Sequence, residues 1–351
     1  MYEKKNGILK PPPSLERYMF KEKAGSRTED IIRSFDLELS RRCNQRCIYC
    51  FADAGEAPEG ELTLDELKKV VLQAKGAGAH QAVIVGGGEP LLYEGLKELI
   101  EFIKNEQLAI TLLTNGVLLD DSWLDYFLGL DINLCVKLNA FKDTGIHDYL
   151  TSNSGSCKIV KAAVERALKK GYTKTGKPYL ILESIICGLN YAEIPYLWRW
   201  ARDNEILPFM EVVTPQGRAR NNKELSLSKD KIKDMFFKLK RIDEELYGYT
   251  WIPYPPIAAF PCRRNDYSCY VTSTGEVYPC AGLNLSVGNI RNRPLKSILK
   301  SSPLIKKMRN IKTYLEGKCS TCEHNNVCYG CRGKAFSETG NPFAQDPVCW
   351  R

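Results

Sequence analysis

Between residues 35 and 213, short apolar runs alternate with longer amphipathic stretches. The apolar runs predict six strands, at residues 35–39, 82–86, 109–113, 132–138, 179–186 and 209–213. The stretches between them predict helices near 64–76, 94–105, 122–129, 156–170 and 192–204, the first of which opens with a capping-box pattern at Thr63 and Glu66. Alternation of strands and helices is typical of a parallel sheet with helices outside, so six repeats predict an α/β fold built as a partial (β/α)6 barrel.

Changes in composition divide the chain into further parts. Residues 1–34 are polar and contain three consecutive prolines, which predicts an N-terminal arm before a barrel at 35–220. Residues 221–258 contain a charged helix near 229–247 followed by a proline-rich stretch, and we interpret them as a bridge. Eight of the fourteen cysteines follow at 262–349, so residues 259–351 are predicted to form a C-terminal domain that metal holds together.

The composition is that of a globular protein, since 44% of the 351 residues are hydrophobic and 26% are charged. No apolar stretch is long enough to span a bilayer, and residues 1–5 lack the apolar core of a signal peptide, so we expect a cytoplasmic protein without membrane contact. In a reducing compartment, fourteen cysteines are expected to bind metal rather than to form disulfides. The net charge of +8 is spread along the chain without a nucleic-acid motif, which favours a solvated surface, with some positive charge near an anionic substrate or redox partner, over nucleic-acid binding.

Three cysteines with the spacing C-x3-C-x2-C are the most informative chemistry in the chain. Cys43, Cys47 and Cys50 supply three thiolates within eight residues, and the next cysteine is Cys135. Ordinary four-iron clusters are held by four thiolates. A cube held by three leaves one iron open for a small ligand, and an open iron on a redox cluster is a place for catalysis.

This spacing, with Tyr49 before the last cysteine, resembles the radical S-adenosylmethionine (radical SAM) superfamily. A second signature agrees: Gly86–Pro90, read as Gly-Gly-Gly-Glu-Pro, follows the apolar run of the second strand. The resemblance implies that Gly87, Gly88, Glu89 and Pro90 hold the amino group of the methionine moiety. Glycines let the backbone approach a ligand closely, and an anionic Glu89 suits an ammonium group. The alternative for this segment alone is an ordinary glycine turn.

The C-terminal cysteines resemble the SPASM domain of radical SAM maturases of peptides, proteins, pyrroloquinoline quinone and haem d1. Gly275 and Cys280 give the Gly-x4-Cys element of that pattern, and the run from Cys319 gives C-x2-C-x5-C, with Cys331 one residue closer than is common. The resemblance implies two auxiliary iron–sulfur clusters, expected to be [4Fe–4S]. The inner cluster would be held by Cys262, Cys269, Cys280 and Cys331, and the outer one by Cys319, Cys322, Cys328 and Cys349.

The alternative for these eight cysteines is two zinc sites, although zinc ribbons usually separate their cysteine pairs by more than five residues. Three further cysteines, Cys135, Cys157 and Cys187, have no partner at metal-ligand spacing. Because Cys135 and Cys187 lie in or beside predicted strands, we expect these two to be small buried hydrophobic residues.

The resemblance also implies an activity, in which Cys43, Cys47 and Cys50 are the catalytic residues. The enzyme would reductively cleave S-adenosylmethionine to a 5′-deoxyadenosyl radical that abstracts a hydrogen atom from the substrate, with electrons from a flavodoxin- or ferredoxin-type donor. Further cofactor-binding candidates lie near the ends of the predicted strands: Tyr49, Asn115, Lys137, Asn139, Asn190, Gln216 and Arg218. Relatives commonly have Ser and Asp where this chain has Lys137 and Asn139. The alternative for each candidate is a polar group already satisfied within its own loop.

Three functions remain open on the sequence. The first is a maturase that oxidises or cross-links a ribosomally made peptide; the arm of 34 residues is too short for a peptide-recognition domain, which leaves room for a separate recognition protein. The second is a small-molecule or cofactor-biosynthesis enzyme, because the tail after Cys328 resembles the haem-d1 maturase branch. The third is a non-catalytic electron carrier. Ala281 follows Cys280 where sulfatase maturases carry an acid, which disfavours formylglycine formation.

Overall fold

The computed structural model describes residues 31–173 and 178–351. Nine strands lie in these ranges: β1 Ser34–Leu37, β2 Gln81–Ile84, β3 Ala109–Thr114, β4 Asn133–Lys137, β5 Leu180–Ile186, β6 Leu207–Val212, β7 Tyr270–Val271, β8 Glu276–Tyr278 and β9 Gly288–Asn289. The α-helices are α1 Leu64–Gly76, α2 Leu96–Asn105, α3 Asp121–Gly129, α4 Thr144–Thr151, α5 Ser156–Lys169, α6 Ile194–Asp203, α7 Lys229–Ile242, α8 Arg264–Tyr267, α9 Leu295–Ser301, α10 Pro303–Arg309 and α11 Arg332–Thr339.

All nine strands form one sheet in the order β6-β5-β4-β3-β2-β1-β7-β8-β9. The first six are parallel and alternate with helices, which confirms the predicted α/β fold and the six barrel strands. The sequence analysis did not anticipate that the cysteine-rich region continues this sheet. β7 pairs in parallel with β1, and β8 and β9 follow as antiparallel strands. The division into domains at residues 220 and 259 stays a prediction.

Side chains of β1 alternate between two environments, as expected for a strand. Phe35 and Leu37 pack into the main hydrophobic core beneath the helices. Asp36 and Glu38 point to the interior of the barrel and are both buried. Glu38 accepts hydrogen bonds there from the hydroxyl of Tyr270 and from the backbone NH of Ser273, the latter at 2.9 Å. A buried carboxylate thus ties β1 to the segment around β7.

The first helix begins as its sequence predicts. The Thr63 side chain accepts a hydrogen bond from the backbone NH of Glu66 at 3.3 Å, and the Glu66 carboxylate accepts one from the backbone NH of Thr63 at 2.9 Å. Such a capping box satisfies two backbone donors that the first helical turn leaves unpaired. Arg291, just after β9, binds the same Glu66 through two nitrogens. The start of α1 is therefore also a contact with the C-terminal region.

Two helical features differ from the prediction. The segment between β4 and α5 contains an additional helix, α4, which the sequence analysis did not assign. The helix predicted near 229–247 is α-helical up to Ile242. It then continues as a single π-helical segment, Asp243–Tyr247. The buried Asp243 carboxylate accepts hydrogen bonds from Trp198, Arg202 and Trp251. These bonds fix the predicted bridge to α6.

The prediction of an N-terminal arm falls mostly on residues 1–30, which lie outside the described residues. At its described end, Ile32 is buried in the main core and Ser34 begins β1. Among the described residues, no helix combines the length and the apolar character needed to cross a membrane.

Candidate active site and metal centres

A cavity of about 230 Å³ opens at the carboxyl ends of the barrel strands. Cys43, Cys47 and Cys50 line it from the loop after β1, and Cys262, Cys280 and Cys331 line it from the C-terminal region. Residues 86–89, after β2, and Asn115, after β3, complete the wall beside the first group. The structure thus brings the first three thiols and three of the four predicted inner ligands to one shared space.

Backbone hydrogen bonds hold the loop that contains the first three cysteines. The Cys43 NH donates to the carbonyl oxygen of Gly55 at 2.9 Å, and the Ile48 NH donates to that of Leu150, in α4, at 3.0 Å. Burial raises the pKa of Cys43, and it raises that of Cys47 to about 12. Buried thiols of this kind keep their protons until a metal displaces them, so assembly of a cluster here must release protons.

The donor set fits an iron–sulfur cluster with a small cofactor beside it. Three thiols face the cavity together with the glycine-rich loop, and the amide nitrogen Nε2 of Gln45, which also lines the cavity, is buried without a hydrogen-bond partner among the described residues. A buried amide donor that lacks a partner is costly unless a ligand accepts from it. Gln45 lies between Cys43 and Cys47 in the chain but was not among the predicted site residues.

The glycines after β2 are required by packing against the cysteine loop. A Cβ at Gly86 would lie 1.8 Å from the carbonyl oxygen of Gly88, and one at Gly88 would lie 2.0 Å from that of Arg42. The Gly88 NH donates to the carbonyl oxygen of Ser40 at 2.8 Å. No side chain fits between the glycine-rich loop and the cysteine loop. The two loops therefore pack directly against each other and form one wall of the cavity.

Glu89 has a structural task in addition to the one that the sequence implied. Its carboxylate accepts hydrogen bonds from the hydroxyl of Thr114 at 2.7 Å and from the backbone NH groups of Leu91 and Asn115 at 3.1 and 2.8 Å. Burial raises the pKa of Glu89, and these three bonds counteract the effect. The carboxylate therefore joins the ends of β2 and β3, while its contact with an ammonium group stays a prediction.

Asn139 and Asn190 are fully buried and their hydrogen bonds lie within the protein. Asn139 donates from Nδ2 to the hydroxyl of Tyr49 at 2.8 Å, and its Oδ1 accepts from the NH of Ile185 at 3.1 Å. Asn190 donates from Nδ2 to the carbonyl oxygens of Asn139 and Ile185 at 2.9 and 2.7 Å. Neither asparagine lines the cavity, and neither does Pro90; the asparagines instead hold Tyr49, which does line it.

Lys137 and Glu183 form an ion pair inside the cavity. The Lys137 Nζ lies 2.8 Å from Oε1 of Glu183 and 5.6 Å from the centre of the Tyr49 ring. Three charged residues that the sequence analysis missed line the cavity: Glu183, Glu211 and Arg264. A signal for the first two was available, because Glu183 and Glu211 are single acids within the apolar strands β5 and β6. Such an acid on an otherwise apolar strand indicates the inner face of a barrel.

Arg218 binds the cysteine loop. Its Nε donates to the carbonyl oxygen of Cys47 at 2.8 Å, and its Nη1 donates to the carboxylate of Asp53 at 2.7 Å and to the carbonyl oxygen of Ala54 at 2.8 Å. The nearby Gln216 donates to the carbonyl oxygen of Ala281, while its Oε1 is buried without a partner among the described residues. Direct contact of Arg218 with a cofactor stays a prediction, whereas its three hydrogen bonds to the cysteine loop are seen in the structure.

The C-terminal thiols form two groups. The pKa of Cys328 is raised to about 12, mainly by burial, and the neighbouring thiols Cys349 and Cys319 contribute to this shift. Burial likewise raises the pKa of Cys349, to which Cys319 and Cys322 add. The four predicted outer ligands are therefore neighbours. Of the four predicted inner ligands, Cys262, Cys280 and Cys331 line the cavity, whereas Cys269 does not.

The remaining cysteines, Cys135, Cys157 and Cys187, are buried, which confirms the prediction made for Cys135 and Cys187. Within residues 31–173 and 178–351, no three thiol, imidazole or carboxylate groups converge on a position for one metal ion.

Comparison with known proteins matches two regions of the chain to family models. Residues 37–197 match the family model of the radical SAM superfamily, and residues 262–323 match that of SPASM, described as an iron–sulfur cluster-binding domain. The AdoMet-dependent heme synthase of Methanosarcina barkeri is 26% identical over 89% of this chain and 94% of its own length. The heme synthase of Nitratidesulfovibrio vulgaris is 23% identical over 89% and 90%. A probable GTP 3′,8-cyclase of Methanococcus maripaludis is 30% identical over 54% and 63%.

Solved structures share the fold. SuiB of Streptococcus suis, bound to its precursor peptide SuiA, superposes with a TM-score of 0.71 at 17% identity, covering 92% of this chain and 76% of SuiB. Native anSMEcpe with bound AdoMet superposes with a TM-score of 0.66 at 17% identity, covering 90% and 93%. At these identities the likeness concerns the barrel and the appended domain.

Proposed function

The protein is a radical SAM enzyme with a SPASM domain, and we propose that it catalyses an AdoMet-dependent step of haem synthesis on a tetrapyrrole precursor. The observation that carries this proposal is the similarity to heme synthases over 89% of the chain and 94% of the relative. The likeness to the GTP cyclases covers 54% of the chain. Similarity that spans both the barrel and the cysteine-rich region supports a shared reaction more strongly than similarity of the barrel alone.

The charges in the cavity suit an anionic substrate. Lys137 and Arg264 both line it. Burial raises the pKa of Asp36, in the adjoining part of the barrel, to about 6, with Arg264 opposing the shift, and burial also raises the pKa of Glu211. A carboxyl group that is more easily protonated neutralises Arg264 less. Tetrapyrroles with carboxylate side chains would find a favourable partner in this arginine, whereas Lys137 is already paired with Glu183.

The residues of this chain have separate tasks in that reaction. When bound, a reduced [4Fe–4S] cluster and S-adenosylmethionine supply a 5′-deoxyadenosyl radical, and auxiliary clusters supply a site for one electron. Cys43, Cys47 and Cys50 would hold the first cluster, and the backbone of Gly86–Gly88 would lie along the cofactor. Arg218 keeps the cysteine loop in place, and apolar side chains of the wall, Leu113 among them, exclude water from the reacting hydrogen.

Conversion of a tetrapyrrole tests the proposal. The anaerobically reconstituted enzyme, with a chemical reductant or a flavodoxin- or ferredoxin-type donor, would be incubated with AdoMet and iron-containing tetrapyrrole precursors of haem. We expect 5′-deoxyadenosine and haem to form together, as followed by mass spectrometry and haem absorbance. Deoxyadenosine that forms at the same rate with and without each precursor, and without haem, would contradict the proposal.

Modification of a ribosomally made peptide is the second candidate, and SPASM enzymes that act on peptides have the same fold. The same assay separates the two when size-fractionated host lysate replaces the tetrapyrrole. Stimulation of deoxyadenosine formation by a protease-sensitive fraction would favour a peptide substrate and, with it, a separate recognition protein. Stimulation by a small-molecule fraction that survives protease would favour the tetrapyrrole.

A further inference from the structure

The side-chain amide of Gln45 lies against the sulfur of Cys47. The Cys47 thiol donates to the Gln45 Oε1, with 3.5 Å between sulfur and oxygen. Gln45 is only 3% exposed, and its Nε2 is buried without a hydrogen-bond partner among the described residues. The residue also lines the cavity. An amide with an unused donor is thus held within hydrogen-bonding distance of a candidate cluster ligand.

The other two sulfurs of this loop have N–H donors from the backbone. The Ala54 NH donates to the Cys50 Sγ at 3.4 Å. Burial raises the pKa of Cys43, and a hydrogen bond from the backbone NH of Gln45 opposes that shift. Hydrogen bonds to the sulfurs are among the features that set the reduction potential of an iron–sulfur cluster. At Cys47, the amide in position to act in this way is the side chain of Gln45.

Binding of iron changes what the Cys47 sulfur can do. A thiolate on iron has no proton to donate, so the present contact with the Gln45 oxygen would join two acceptors. Half a turn of the amide about its Cγ–Cδ bond exchanges Oε1 with Nε2, which are groups of nearly equal size. The contact then becomes an N–H···S hydrogen bond at the same position, and the unpaired donor gains an acceptor.

We propose that Gln45 is a positioning residue of the first cluster: its amide donates a hydrogen bond to the Cys47 thiolate and thereby raises the reduction potential of the cluster. Reduction adds an electron, and the positive end of an N–H dipole stabilises the added negative charge, more strongly in a buried site than in water. Gln45 would therefore ease transfer of the electron from the external donor to this cluster. The inference holds whichever substrate the enzyme takes.

A redox titration followed by EPR tests the proposal on the reconstituted full-length enzyme. The Cys43→Ala/Cys47→Ala/Cys50→Ala protein contains only the auxiliary clusters, so subtraction of its reduced spectrum isolates the signal of the first cluster. Gln45→Met keeps a side chain of similar length but has no donor. At a fixed potential we expect its ratio of reduced to oxidised first cluster to fall about tenfold, which is a shift of about 59 mV for a one-electron couple.

Asn44→Ala, at the exposed neighbouring position of the same loop, is the matched control and should leave the potential unchanged. An unchanged potential in Gln45→Met, or an equal shift in Asn44→Ala, would overturn the proposal. AdoMet affinity, measured on the same variants by equilibrium dialysis, supplies a further check. Weaker AdoMet binding by Gln45→Met without a change in potential would assign the amide to the cofactor instead, and the proposal would fail.

A spectroscopic signature decides the matter even where a variant fails to retain its first cluster. In wild-type enzyme labelled with ¹⁵N at the glutamine side-chain amides, electron–nuclear double resonance on the first-cluster signal should show a ¹⁵N hyperfine coupling. Gln45→Glu, which has the same shape but lacks the nitrogen, should abolish that coupling. A wild-type signal without any ¹⁵N coupling would show that no glutamine amide contacts the cluster.

Discussion

The Nε of Arg218 donates a hydrogen bond to the carbonyl oxygen of Cys47 at 2.8 Å, although the two residues lie 171 positions apart in the chain. Arg218 follows the last barrel strand, and Cys47 belongs to the loop after the first. Because the guanidinium group also binds Asp53 and Ala54, one side chain fixes both the middle and the end of the cysteine loop. The two ends of an open barrel are thus connected at the position where a cluster would be held.

Arg218→Ala should weaken the cysteine loop rather than abolish a single contact with a cofactor. We expect faster loss of the first cluster on exposure to air and a free energy of unfolding lower by about 2 kcal/mol, since hydrogen bonds from a charged group contribute about 1.5–3 kcal/mol. Iron content over time and denaturant unfolding would measure these effects. The exposed Arg220 supplies the matched control, Arg220→Ala. Unchanged cluster retention with only a weaker affinity for AdoMet would show that Arg218 acts on the cofactor directly.

Replacement of Cys43, Cys47 and Cys50 by alanine should abolish cleavage of AdoMet while the auxiliary iron remains. The physical reason is that these thiols come from a separate loop, and the C-terminal thiols are positioned by other elements. Deoxyadenosine formation and iron content, measured on the same sample, would check this. Cleavage that survives in the triple variant would refute the assignment of the catalytic cluster.

Removing one partner of the Lys137–Glu183 pair should cost more than removing both. Lys137→Met leaves a carboxylate that is only 7% exposed without its cation, whereas Lys137→Met/Glu183→Gln leaves no charge unpaired. We expect each single variant to be destabilised by about 1–3 kcal/mol and the double variant by less than either single variant. Denaturant unfolding of all four proteins gives the coupling energy. Additive effects would mean that the pair does not stabilise the cavity wall.

His147 should make stability depend on pH in a direction that its environment fixes. Its Nδ1 accepts a hydrogen bond from the Asn139 NH at 3.1 Å, and burial lowers its pKa to about 4, with Asp148 opposing the shift. The folded-state pKa of His147 lies below the unfolded value of about 6.5. The contribution of this histidine to stability is therefore fully present above pH 6.5 and is lost as the pH falls towards 4. His147→Gln removes this dependence, so its cost relative to wild type should shrink by about 2 kcal/mol between pH 7.5 and pH 5.

The comparison with His147→Gln is needed because Asp36 titrates with the opposite sign. Its pKa is raised to about 6, so its contribution to stability increases as the pH falls and opposes that of His147. Denaturant unfolding of both proteins at the two pH values isolates the histidine. A cost of His147→Gln that is the same at pH 5 and pH 7.5 would contradict the prediction.

The positions of the strands could be predicted because they depend on local pattern. Apolar runs and amphipathic stretches gave the six barrel strands, and the Thr63–Glu66 pattern gave the start of α1. The segment that forms α4 was not predicted. The π-helical segment at Asp243 was not predicted either, because it depends on hydrogen bonds from Trp198 and Arg202 in α6 and from Trp251, which lies beyond the segment. Local patterns do not encode such partners.

The sequence by itself determined the chemistry of this protein, because a C-x3-C-x2-C run places three thiols in one loop whatever surrounds it. Only the tertiary structure decided what the other candidate residues do. Asn139 and Asn190 are satisfied inside the protein, and Arg218 holds the cysteine loop, because folding brings partners to them from other strands. The position of Cys269, which does not line the cavity, depends on the pairing of the two-residue strand β7 with β1, and a strand so short leaves no periodic signal in the sequence.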